Sequence, residues 1–111
     1  MQLDAEFREN TLIIRVCESR LDAAAVLAFK EGMRELLTRP SSRVLLDLSQ
    51  VEFLDSSGLG AVVSVMKLLA PDRQLELAGL TGPVQKVFHL TRMDTVFSVH
   101  SSVEQGLYGA G

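Results

Sequence analysis

At 111 residues, 47% apolar and 23% charged, the chain has the size and composition of one domain that can bury a core without a disulfide or a metal. Its net charge of −3, with no cluster of Lys and Arg, excludes general nucleic-acid binding, which needs a basic patch. The single cysteine, Cys17, excludes an internal disulfide and fits a reducing compartment. Residues 1–6 have neither the basic start nor the apolar run of a secretion signal. The longest nearly uncharged apolar stretch, residues 59–70, falls short of the ~20 residues that span a bilayer, so no membrane insertion is expected and a soluble, cytoplasmic protein is.

In chain order, Leu3, Ala5 and Phe7 alternate with polar residues, which predicts a half-buried strand. Glu9 and Asn10 read as a tight turn, because Asn tolerates positive φ, and residues 11–17 read as a β-branched second strand closing a hairpin. Cys17 is then expected as a small core residue. Asp22 can cap a helix over residues 23–38, with Val26, Phe29, Met33, Leu36 and Leu37 as its buried stripe and Lys30, Glu31, Arg34 and Glu35 on the other side. Pro40 stops that helix. Val44, Leu45, Leu46 and Leu48 form a near-continuous apolar strand of the central, covered kind, and Asp47 can satisfy backbone groups at its end.

The helix after Ser56 carries Leu59, Val62, Val63, Met66, Leu69 and Ala70 on one face, and Pro71 ends it. A second row, Ala61, Val65 and Leu68, either packs on a neighbouring helix or forms a partner-facing patch. Residues 74–78 alternate as a strand, and Pro83 suits the first turn of a third helix carrying Val84, Val87, Phe88 and Leu90. Residues 95–99 read as a last short strand. Ser101 and Ser102, followed by Glu104 and Gln105, offer a capping-box start to a terminal helix, and residues 109–111 read as a frayed end. The order β-β-α-β-α-β-α-β-α implies an α/β fold: a single domain over residues 1–111 with a mixed, mostly parallel sheet of about five strands and about four helices.

The most informative segment is Val51-Glu52-Phe53-Leu54-Asp55-Ser56-Ser57-Gly58-Leu59-Gly60. A serine at a helix start meets unpaired backbone N–H groups and the positive end of the helix dipole, a place where a phosphate can sit. Asp55 beside it works against added negative charge, which suits a reversible switch better than a permanent anion pocket. From the residues alone, either serine can be a helix cap while the other stays free. Asp55 can orient a hydroxyl, bind a kinase's magnesium or cap the turn. Gly58 and Gly60 permit close backbone approach near the helix start.

The Asp55-Ser56-Ser57-Gly58-Leu59-Gly60 string, the strand before it and the element order resemble the STAS domain, and within it the stand-alone bacterial anti-sigma-factor antagonists. The resemblance covers essentially the whole chain. It implies that Ser56 is the phosphorylated residue, that Ser57 has the structural task, and that Asp22, Asp55, Ser57, Gly58, Leu59 and Gly60 border the partner-binding site. It implies as partners an anti-sigma factor that is also a serine kinase of the histidine-kinase-like ATPase fold, and a metal-dependent Ser/Thr phosphatase. The unphosphorylated form would bind the anti-sigma factor and free a sigma factor. The family's Gly-x-Leu-Asp string is Ser19-Arg20-Leu21-Asp22 here, a departure that bears on partner choice.

No catalytic residues, cofactor or metal site are expected. The serines are not in a Gly-x-Ser-x-Gly elbow, no phosphate-binding Gly-Lys-Ser/Thr loop is present, and His89 and His100 lack metal-site spacing. Ser56 reads as a substrate for another enzyme. Two alternatives use the same domain differently: a constitutive adaptor subunit of a lipid-transport assembly of the ATP-binding-cassette type, with structural serines, or a regulator of a non-sigma pathway with the same gate.

Overall fold

Two extended runs, β1 (Leu3–Arg8) and β2 (Thr11–Val16), are joined through Glu9 and Asn10, both left-handed at φ 53° and 57°. Positive φ at both central residues is what a two-residue type I′ hairpin turn requires. The structure, a computed structural model, describes residues 1–109. After the hairpin come β3 (Arg20–Leu21), α1 (Val26–Leu36), β4 (Arg43–Asp47), β5 (Phe53–Leu54), α2 (Ser56–Leu69), β6 (Gln74–Ala78), α3 (Gly82–Leu90), a short 3-10 helix (Met93–Thr95), β7 (Ser98–His100) and α4 (Val103–Tyr108). The main sheet has the order β1-β2-β4-β6-β7, antiparallel only between β1 and β2 and parallel elsewhere. The short strands β3 and β5 pair parallel in a second sheet, Arg20 opposite Phe53 and Leu21 opposite Leu54.

Period-two alternation assigns each strand residue to a face. Leu12, Ile14 and Val16 of β2 and Val44 and Leu46 of β4 join Phe29 and Met33 of α1, Val62 and Val65 of α2 and Val84 and Phe88 of α3 in the main core. Ile13, Leu45 and Ala78 face the other way and are covered by Val103 and Leu107 of α4. The β4 strand is thus covered on both faces, as its unbroken apolar run predicts. On the α4 side, Glu76 is buried and accepts from Arg43 Nε and Nη2, each at 2.7 Å, while His100 Nε2 lies 2.7 Å from its Oε1. Arg43 Nη2 also donates to the Gly106 carbonyl at 2.8 Å, which ties α4 to the sheet.

Several local expectations are corrected. The first helix begins at Val26, and its N-cap is Ala25 with no side-chain bond. Asp22 does not cap it, because its carboxylate accepts from Arg20 Nε at 3.1 Å and the Ala23 N–H is drawn to Asp55. Cys17 is half-buried, one residue past β2, with its Sγ 3.4 Å from Asp4 Oδ2. Burial pushes its thiol pKa up, with the Asp4 carboxylate adding to the effect. Phe7 stays exposed on the edge strand under Arg39, whose Cζ is 4.4 Å from the ring centroid. Leu90 is 71% exposed, so the buried stripe of α3 ends at Phe88. The last strand starts at Ser98, because residues 93–95 turn as a 3-10 helix. Ser102 caps α4 as its pattern predicts, accepting from the Gln105 N–H at 3.1 Å. The expected fraying of Ala110 and Gly111 lies outside the described residues.

Candidate functional site

The site is built where the small β3–β5 sheet hands the chain to α2. Asp55 is the N-cap of this 14-residue helix, in extended backbone at φ −100° and ψ −177°. Its Oδ1 accepts from the Gly58 N–H at 2.8 Å, and its Oδ2 accepts from the Ala23 N–H at 3.1 Å. One carboxylate therefore closes the first turn of α2 and pins the loop that leads to α1. The Gly58 N–H, with the Ala23 N–H adding a lesser share, holds the Asp55 carboxyl below its usual range against the opposing effect of burial. Asp55 performs the capping task.

That cap frees both serines. Ser56 and Ser57 occupy the first two helical positions, are exposed, and make no side-chain hydrogen bond to the described residues. Neither is the cap, contrary to the reading that gave one of them that task, because the aspartate before them has the better acceptor for a charged end. The Ser56 oxygen is open to a modifying enzyme. Gly58 is buried, and a Cβ there would overlap the Leu21 carbonyl oxygen and meet Leu54 Cδ1 at 3.1 Å. Its role is to let α2 lie against the β3 backbone. Gly60 is exposed, and an added Cβ would meet nothing within 4 Å. Leu59 is in the core at 8% exposure.

Asp22 comes close to the serines through the chain: its neighbour Ala23 bonds to Asp55, the neighbour of Ser56. Arg20 pairs with Asp22 and also lies over the Phe53 ring, its Cζ 4.2 Å from the centroid. Phe53 is 40% exposed beside the helix start and was not singled out from the sequence. The signal that could have found it is its place between two acidic residues, Glu52 and Asp55, at the end of an apolar run. Of the second row on α2, Ala61 and Val65 are buried and α2 packs on α1, whereas Leu68 is 61% exposed. Among the described residues, no group of three or more His, Cys, Asp or Glu is arranged to hold a metal ion. No helix among them is long and apolar enough to cross a membrane.

Known proteins resemble this chain. A candidate anti-sigma factor antagonist of Thermotoga maritima is 26% identical over 74 residues, which span 66% of this chain and 66% of that relative's length. The anti-sigma-F factor antagonist RsfB of Mycobacterium tuberculosis is 22% identical over 100 residues, covering 90% of this chain and 82% of RsfB. A STAS-domain anti-sigma-factor antagonist from Planctomyces limnophilus superposes with a TM-score of 0.86 at 21% identity, covering 95% of this chain and 94% of that one. The Bacillus cell fate determinant SpoIIAA, solved in its phosphorylated form, gives 0.68 at 21% identity with 96% of each chain covered. At such identities the structural likeness is one of fold. The sequence model of the STAS domain matches residues 2–106, nearly the whole chain, and this protein belongs to the STAS domain family.

Proposed function

We propose that this domain is a phosphorylation-gated protein-binding regulator of the anti-sigma-factor-antagonist type, working in the cytoplasm and without catalysis of its own. In this reading the unphosphorylated form docks on a kinase-type anti-sigma factor of the histidine-kinase-like ATPase fold and frees a sigma factor. The kinase phosphorylates Ser56, docking is lost, and a Ser/Thr phosphatase resets the domain. Asp22, Asp55, Ser57 and Gly60 border the contact, while Gly58 and Leu59 hold the helix start in place. The relatives named as antagonists and the phosphorylated SpoIIAA structure support the reading.

The observation that carries it is the exposed, unbonded Ser56 hydroxyl directly after a carboxylate that already caps the helix. A phosphate on Ser56 adds about −1.5 to −2 charges. The helix dipole offsets part of that charge, and Asp55 opposes it because the best backbone donors are already taken. The free domain bears the phosphate in solvent at small cost. A docked surface must instead bury an uncompensated dianion, which costs several kcal/mol. A penalty of ~3 kcal/mol weakens binding by roughly two orders of magnitude. Titrating the purified kinase-type partner tests this: Ser56→Ala is expected to bind as the unphosphorylated domain does, and Ser56→Asp to bind more weakly by at least about tenfold. Equal affinity of both variants and the wild type would remove the gate.

A further inference from the structure

We propose that the groove between α1 and α2 receives an acidic segment of the partner protein, with one aliphatic side chain of that segment seated over Met33 and Val65. The groove encloses about 160 Å³ and is lined by Lys30, Met33, Arg34, Ser64, Val65 and Leu68. That volume is what about five waters occupy in the liquid, room for one branched side chain. Its floor is apolar and buried, with Met33 at 0% and Val65 at 3% exposure, while Leu68 stands on its rim at 61%.

The rim sets the chemistry of the occupant. Lys30 and Arg34 line the α1 side, and Lys67 follows Ser64 by three residues on the exposed side of α2. None of these cations forms an ion pair among the described residues, although Glu31 stands three residues before Arg34 and the chain carries a net charge of −3. Lys30 and Arg34 are one helical turn apart, a like-charge spacing that costs helix stability by itself and that an anionic partner offsets. Unpaired cations around an apolar slot match an acidic segment with a single aliphatic anchor.

The groove and Ser56 share one helix, α2. Ser64 lies about 12 Å along the helix axis from Ser56, and between them Gly60 leaves the surface open. A partner laid along α2 from Ser56 therefore reaches the groove with its anionic stretch, a placement that rests on the Ser56 end facing that partner. The groove's preference for an acidic occupant does not depend on the gate.

The test is an NMR titration of the isotope-labelled full chain with three synthetic helical peptides. The first has one leucine flanked by glutamates, the second has lysines in place of the glutamates, and the third has alanine in place of the leucine. The expected result is saturable shifts for the first peptide at the amides of Lys30, Met33, Ser64 and Leu68, weakening with salt as exposed charges are screened. The alanine peptide and a Lys30→Glu, Arg34→Glu variant are each expected to bind at least about tenfold more weakly, and the lysine peptide not at all. Absence of saturable shifts at the groove, shifts confined elsewhere, or equal binding by the lysine peptide would overturn the proposal. The peptides address the groove and not Ser56. A failed gate therefore shows only against the whole partner, whereas an unused groove shows against the peptides.

Discussion

Gly58 and Gly60 stand two residues apart on α2 and meet opposite surroundings. At Gly58 any side chain collides with the Leu21 backbone, which is part of a paired strand and cannot move aside cheaply. Gly58→Ala is therefore expected to destabilise the domain by about 1–3 kcal/mol, the usual cost of overpacking a tight site. At Gly60 the same change enters open space and removes the entropic cost of glycine inside a helix, so Gly60→Ala is expected to stabilise by about 0.5–1 kcal/mol. Urea unfolding of both variants checks the pair, and a similar effect at the two positions would contradict the close approach of α2 to β3. Asp55 sets a pH dependence at the same scale. Its folded pKa lies below the unfolded value of about 3.9, so its contribution is complete above that value and is lost as pH falls through the folded one.

Among the elements, α4 is the shortest α-helix among the described residues and is tied to the sheet by a polar anchor, the Glu76–Arg43–Gly106 chain. Burial raises the Glu76 pKa, but the bonds from Arg43 and His100 together outweigh it and leave the carboxyl below its ordinary range. Its stabilisation is therefore present above the unfolded value of about 4.3 and lost as pH falls through the folded value. Glu76→Gln is expected to cost about 1–3 kcal/mol at pH 7, and the gap to the wild type is expected to be smaller at pH 3.5, below the unfolded value of about 4.3. Urea melts at the two pH values measure this, and a constant gap would contradict the network's role. The elements that could be read in the sequence were those with room for a period. The alternation in β1 and β6 and the stripes of α1 and α2 repeat often enough to be seen. A two-residue strand cannot display a period of two, so β3 and β5 went unread. The start of α1 was misplaced because its determinant is distant: the Ala23 N–H bonds to Asp55, 32 residues away. The site divides in the same way. Asp55 is legible as a candidate cap because a cap acts over three residues, and Ser56 is singled out only by the resemblance, whereas the stacking of Arg20 on Phe53 depends on strand pairing.

For the whole molecule, the sheet and its helices form a frame that holds the first turn of α2 at the surface with its charge already balanced by Asp55. The proposed gate would then require no conformational change: a dianion on Ser56 would leave the frame as it is and act on whatever docks there. The main core, which runs from β2 and β4 through all three larger helices, supports this division, because both serines are exposed and outside it. The most direct test is the affinity of the domain carrying phosphoserine at position 56 for the proposed kinase-type anti-sigma factor, compared by calorimetry with the unmodified domain. The account predicts a dissociation constant higher by about a hundredfold, and an unchanged constant would contradict it.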